Sequence, residues 1–96
     1  MAEGTDPAFF NRADAHIDLS NSQVEAIGRG KVSASMLYAT ARFNAWVTAC
    51  GFQNAAQMRE AREETLKYFV EQYKGMLGEN LDDYIANFER YMGAAH

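Results

Sequence analysis

Apolar side chains recur along this chain at steps of three and four residues, and no useful run alternates as a strand would. The pattern therefore predicts helices throughout. Phe10, Ala13, Ile17, Ser20, Val24 and Ile27 trace one face of a first helix. Asp6 and Pro7 supply an N-cap residue and a first helical position, while Gly28 and Gly30 stop the helix. Ser33 is the expected N-cap of a second helix that runs to about Cys50, with Gly51 just beyond. This second helix is apolar on more than one side. Met36, Leu37, Phe43, Val47 and Cys50 form a broad face, and Tyr38, Ala39, Trp46 and Ala49 form another. Such a helix belongs in the middle of a bundle or in an interface.

Asn54, with Gln57 three residues later, resembles a capping box and opens a third helix. Met58, Ala61, Thr65, Phe69, Tyr73 and Met76 mark its expected inner side. Arg59, Glu63, Lys67 and Glu71 provide i,i+4 pairs of opposite charge on its wet side. Gly75 and Gly78 are expected to weaken and then end it. Asn80 is expected to cap a fourth helix, with Asp82 and Asp83 in the first turn, where the helix dipole favours negative charge. Leu81, Tyr84, Ile85, Phe88, Tyr91 and Met92 give that helix its apolar stripe. The fold class that follows is all-α, a bundle of four helices with short loops. It is read as one helical domain over residues 1–96, ordered from about 6 to 92 and frayed at 1–5 and 93–96.

Composition narrows the function classes. With 48% apolar residues and one proline in 96 positions, a packed globule is expected rather than a disordered segment. Cys50 is alone, which excludes an intramolecular disulfide and a multi-cysteine zinc site and fits a reducing compartment. No secretory signal and no membrane-length apolar run is visible, so the expected location is the cytoplasm. The net charge of −4 is unevenly spread: a basic stretch over residues 28–62 lies between acidic ends. It could complement those ends or steer a small anion. No dense Lys/Arg stripe supports general nucleic-acid binding.

The stretch "AIGRGKVSAS" at 26–35 concentrates glycines, cations and hydroxyls. As a nucleotide phosphate loop it fails, because Glu25 and Val32 stand where glycine and Ser/Thr are needed. A weaker anion site survives as an expectation, formed by Arg29, Lys31 and Ser33 at the start of a helix. The plainer expectation is a helix stop and reversal with both cations in water. Arg42 lies four residues from both Tyr38 and Trp46. It could bind a carboxylate or phosphate at the edge of an aromatic pocket, or lay its stem on apolar surface as an ordinary structural arginine. Neither His16 nor His96 has the Glu-x-x-His spacing of helical metal sites, so no metal or other cofactor is expected. Cys50 has no recognisable catalytic partner and reads as a small buried hydrophobe.

Four strings, "GKVSAS" at 30–35, "YATARFNAW" at 38–46, "YFVEQY" at 68–73 and "ENLDDYIANFERYM" at 79–92, resemble a family of small bacterial proteins, domain of unknown function 3144. The resemblance runs from about Phe9 to Met92. It implies a proteobacterial, cytoplasmic, all-helical protein with no assigned activity, so it transfers no catalytic residue. From the residues themselves, the leading expectation is a non-enzymatic protein–protein interaction module, most simply a homodimer, with Trp46 and Tyr91 as anchors. The alternative is a binder of a small anion at the Gly28–Ser33 turn or near Arg42. An enzyme is disfavoured, because no acid–base pair or nucleophile can be placed with its partner.

Overall fold

The computed structural model describes residues 6–93. Of the expected frayed ends at 1–5 and 93–96, residues 1–5 and 94–96, His96 among them, lie outside the described residues. Among the described residues there is no strand, and the chain is all-α with four helices. These are α1 (Phe9–Ile27), α2 (Arg29–Ala49), α3 (Ala55–Ala86) and α4 (Phe88–Met92). By internal contact they form two units, Met1–Gly51 with α1 and α2, and Phe52–His96 with α3 and α4.

In the first unit, α1 begins at Phe9, two residues after the expected proline start. Asp6 still organises the entry: its carboxylate accepts from the Ala8 N–H at 2.9 Å and from both terminal nitrogens of Arg12. The Arg12 guanidinium, then the Ala8 N–H, hold the Asp6 carboxyl below its ordinary pKa. Gly28 is the sole residue between α1 and α2, with φ 108° and ψ 144°. A side chain would be strained there, so glycine makes this reversal possible. Its carbonyl accepts from the Val32 N–H at 3.1 Å, and α2 is under way at once.

The expected cap at Ser33 is therefore corrected. Ser33 lies inside α2, because the chain re-enters helical backbone directly after Gly28 and no turn remains for Ser33 to close. Val32, 5% exposed, is the buried apolar side chain of the described residues. Ala13, Ser20 and Val24 of α1 are half-buried, whereas Phe10, Ile17 and Ile27 of the same expected stripe are exposed. The Ser20 hydroxyl donates to the Met36 sulfur at 3.2 Å across the two helices. Cys50, expected to be buried, is exposed at the end of α2.

In the second unit, the Asn54 cap forms as the sequence predicts. Asn54 Oδ1 accepts from the Gln57 N–H at 3.0 Å, and Gln57 Oε1 reaches back to the Gln53 N–H at 2.9 Å. The far end of α3 differs from expectation: the helix passes through Gly75, Gly78 and Asn80 and ends at Ala86. Among the described residues only Gly28 and Gly93 have positive φ. A glycine with helical φ costs about 0.5–1 kcal/mol relative to alanine but breaks no hydrogen bond. Asn80 is used inside the helix, its side-chain amide donating to the Met76 carbonyl at 2.8 Å. The break falls at Asn87, whose amide donates to both the carbonyl and the carboxylate of Asp83. The expected fourth helix is thus divided, its first half extending α3 and its second half forming the five-residue α4.

Candidate functional site

The expected anion-binding residues lie on the first turns of α2. Arg29 is its first residue, Lys31 and Ser33 follow within it, and all three are exposed. No side chain caps this helix start. The first backbone N–H groups, other than the Val32 group bonded to Gly28, are therefore left to solvent. That arrangement provides positive potential without converging side chains.

Further along α2, Tyr38, Arg42 and Trp46 are exposed and four residues apart. Trp46 pairs with Phe43, ring centroids 5.6 Å apart at 37°, rather than with Tyr38. Arg42 has no ion-pair partner among the described residues. The structure places these three on one helix without building walls around them.

A cleft does exist in the first unit, of about 240 Å³, along the seam of α1 and α2. His16, Leu19, Ser20 and Gln23 line it from α1, and Val32, Ser35, Met36 and Ala39 from α2. None of the expected site residues reaches it. Its signal in the sequence is the i, i+3, i+4, i+7 spacing of both quartets, the ordinary mark of two helices in contact. Among the described residues, no three His, Cys, Asp or Glu side chains gather as a metal site requires. The i,i+4 ion pairs expected on α3 are replaced by one between neighbours, Arg62 and Glu63.

Tyr91, expected as an anchor, is bound into the second unit. Its hydroxyl donates to the Asp83 carboxylate at 2.7 Å, and its ring lies 4.6 Å from that of Tyr84. The Arg90 guanidinium sits 5.3 Å from the Tyr91 ring centre. The bond to Asp83 favours the protonated phenol, so the Tyr91 pKa is raised from its ordinary 10.0. Asp83 thereby ties α4 to α3 through Asn87 and Tyr91 together, a role the residues alone did not reveal.

The two glycines of α3 mask a second feature in the sequence. With α3 continuous, Leu66, Val70, Tyr73, Leu77, Leu81 and Tyr84 share one face, and all six are exposed. Their spacing of 4, 3, 4, 4 and 3 is helical in the sequence once the helix runs through Gly75 and Gly78. Met58, Ala61, Thr65 and Phe69, the expected inner side, are half-buried, whereas Tyr73 and Met76 from the same list are exposed. Among the described residues, no helix is long and apolar enough to cross a membrane.

Comparison with known proteins agrees with this architecture and adds no activity. No curated protein matches the chain. The protein NB7890A from Shewanella sp., solved by NMR, is similar at 40% identity and a TM-score of 0.75. The match covers 91% of this chain and 93% of that one. The model of the family described as protein of unknown function, DUF3144, matches residues 9–85. The chain accordingly belongs to the DUF3144 family of proteins of unknown function.

Proposed function

We propose that this protein is a non-enzymatic helical interaction module that works as a homodimer. One observation carries the reading. Among the described residues, Val32 is the buried apolar side chain, while twenty-two large apolar side chains are exposed. A monomeric soluble protein rarely leaves contiguous apolar patches larger than a few hundred Å² in water. Helices gain most of their stability by burying an amphipathic face. Neither unit covers its own faces, and a partner would do so. The bacterial cytoplasm suits this reading, since Cys50 is a free, exposed thiol.

Sedimentation equilibrium from low to high micromolar concentration tests it. The expected mass is twice the 10.8 kDa of one chain, with a melting temperature that rises with concentration. A monomer throughout that range, stably folded, would remove the reading.

The uncapped start of α2 beside Arg29 and Lys31 favours a second reading, binding of a small anion there or at Arg42. A thermal-shift screen against phosphate, nucleotides and carboxylic acids on the same preparation separates the two. A shift abolished by Arg29→Ala or Arg42→Ala would support the anion site, and a flat screen with a dimeric mass would leave the interaction module.

A further inference from the structure

The longest exposed apolar surface on one element is the stripe of α3. At about 100° per residue, Leu66, Val70, Tyr73, Leu77, Leu81 and Tyr84 fall within an arc of about 80°. They span about 27 Å of helix. Gly75 and Gly78 fall off this arc, so neither leaves a gap in it. The spacing is that of a helix–helix seam, and α4, at five residues, is too short to cover it. Resting on the reading that the chain self-associates, we propose that this stripe docks on the same stripe of a second copy, with the two α3 helices antiparallel and related by a two-fold axis at the level of Gly75.

Charge selects the partner and its direction. In the first half of α3, Arg59, Arg62 and Lys67 balance Glu60, Glu63 and Glu64. In the second half, Lys74 alone stands against Glu71, Glu79, Asp82 and Asp83. Parallel pairing would set two acidic halves side by side, together with the two negative ends of the helix dipoles. Antiparallel pairing about Gly75 sets the acidic end of each α3, with Asp82 and Asp83, beside the partner's residues 64–70, where Glu64 and Lys67 balance. It also places Arg59 and Arg62, which lie along the stripe's side of α3, just past the C-terminal end of the partner's α3, the negative end of its helix dipole.

A two-fold axis makes the surface complementary to itself, as a closed dimer requires. Tyr73 then meets the partner's Leu77, and Leu66 meets the partner's Tyr84. The area is adequate. The six stripe side chains and flanking Met76 are each about half exposed, and at ~200 Å² per large side chain they offer roughly 700 Å² per copy. The pair would bury about 1,400 Å², within the range of stable specific interfaces.

Distances between spin labels test the arrangement without touching the stripe. In a Cys50→Ser background, a single label is placed at Lys67 or at Lys74, both exposed on the margin of the stripe. In the antiparallel dimer, the two labels at position 74 are offset along the helices by about 3 Å, and those at position 67 by about 24 Å. The expected result is a short distance from Lys74→Cys and a clearly longer one from Lys67→Cys. Equal short distances at both positions would establish parallel pairing and overturn the proposal. A dimeric mass with long distances at both would place the interface elsewhere, overturning this surface while the homodimer stands. A monomeric mass would overturn both.

Discussion

The two units solve the same problem in opposite ways. In the first, two helices of 19 and 21 residues are joined by one glycine, and the reversal at Gly28 lets Val32 bury itself against α1. In the second, a helix of 32 residues runs past two glycines and is followed by a five-residue α4. The difference teaches that glycine permits a break and does not impose one. Gly28 and Gly93 adopt positive φ and end their helices, while Gly30, Gly75 and Gly78 keep helical backbone. At Gly28 the reversal brings two apolar faces together, whereas at Gly75 and Gly78 the helical backbone and its periodic stripe simply run on.

The largest expected effect comes from the α3 stripe. Leu77→Glu at the centre of the α3 stripe removes two apolar side chains from each dimer, at about 1.5–3 kcal/mol apiece when buried. The dimer should weaken by about a hundredfold or more, measured by sedimentation, with helicity checked by circular dichroism. An unchanged dimerisation constant would break the comparison, because α3 would then not need this face.

Gly28→Ala should destabilise the first unit by about 1–3 kcal/mol in urea unfolding. No neighbouring atom would obstruct the added methyl, so the penalty would come from the backbone alone. Gly75→Ala has equally open space and helical φ. It should stabilise by about 0.5–1 kcal/mol. Opposite signs from one substitution at two glycines would confirm the distinction between the units, and equal signs would end it.

The smallest effect is a pH dependence. The folded-state pKa of Tyr91 lies above its unfolded value of 10.0. The contribution of its bond to Asp83 is therefore complete below pH 10 and is lost as pH rises through the folded pKa. Tyr91→Phe should flatten this alkaline part of the stability curve and leave the neutral part nearly parallel to the parent. At the other end of the chain the sign reverses. Asp6 has a lowered pKa beside Arg12, so its contribution is present above pH 3.8 and is lost as pH falls through the depressed value. Arg12→Ala should shrink that acid limb, leaving the part that the Ala8 N–H supports.

Much of the local structure could be read from residues. Asn54 with Gln57 announced the start of α3, because an amide acceptor three positions before a free N–H has little choice of geometry. Asp6 marked the entry to α1 for a similar reason, although the helix proper starts three residues later. The expected site residues were harder. Tyr38, Arg42 and Trp46 were correctly placed together on one helix, but a pocket needs walls from elsewhere, and spacing along a single helix cannot supply them. Tyr91 proved to be held by Asp83, eight residues back, a contact created by the break at Asn87.

The sequence by itself determined that the chain is helical, that Gly28 divides its first half, and that α2 is apolar on more than one side. These follow from periodicity, caps and composition, which act over a few residues. Only the tertiary structure decided that α2 begins before Ser33 and that α3 ignores its glycines. The physical reason is that a glycine, or a serine near a turn, has several backbone states of similar energy. The choice is made by the backbone on either side: positive φ at Gly28 starts α2 at once and leaves Ser33 inside it, while the flanking helical turns carry α3 through Gly75 and Gly78.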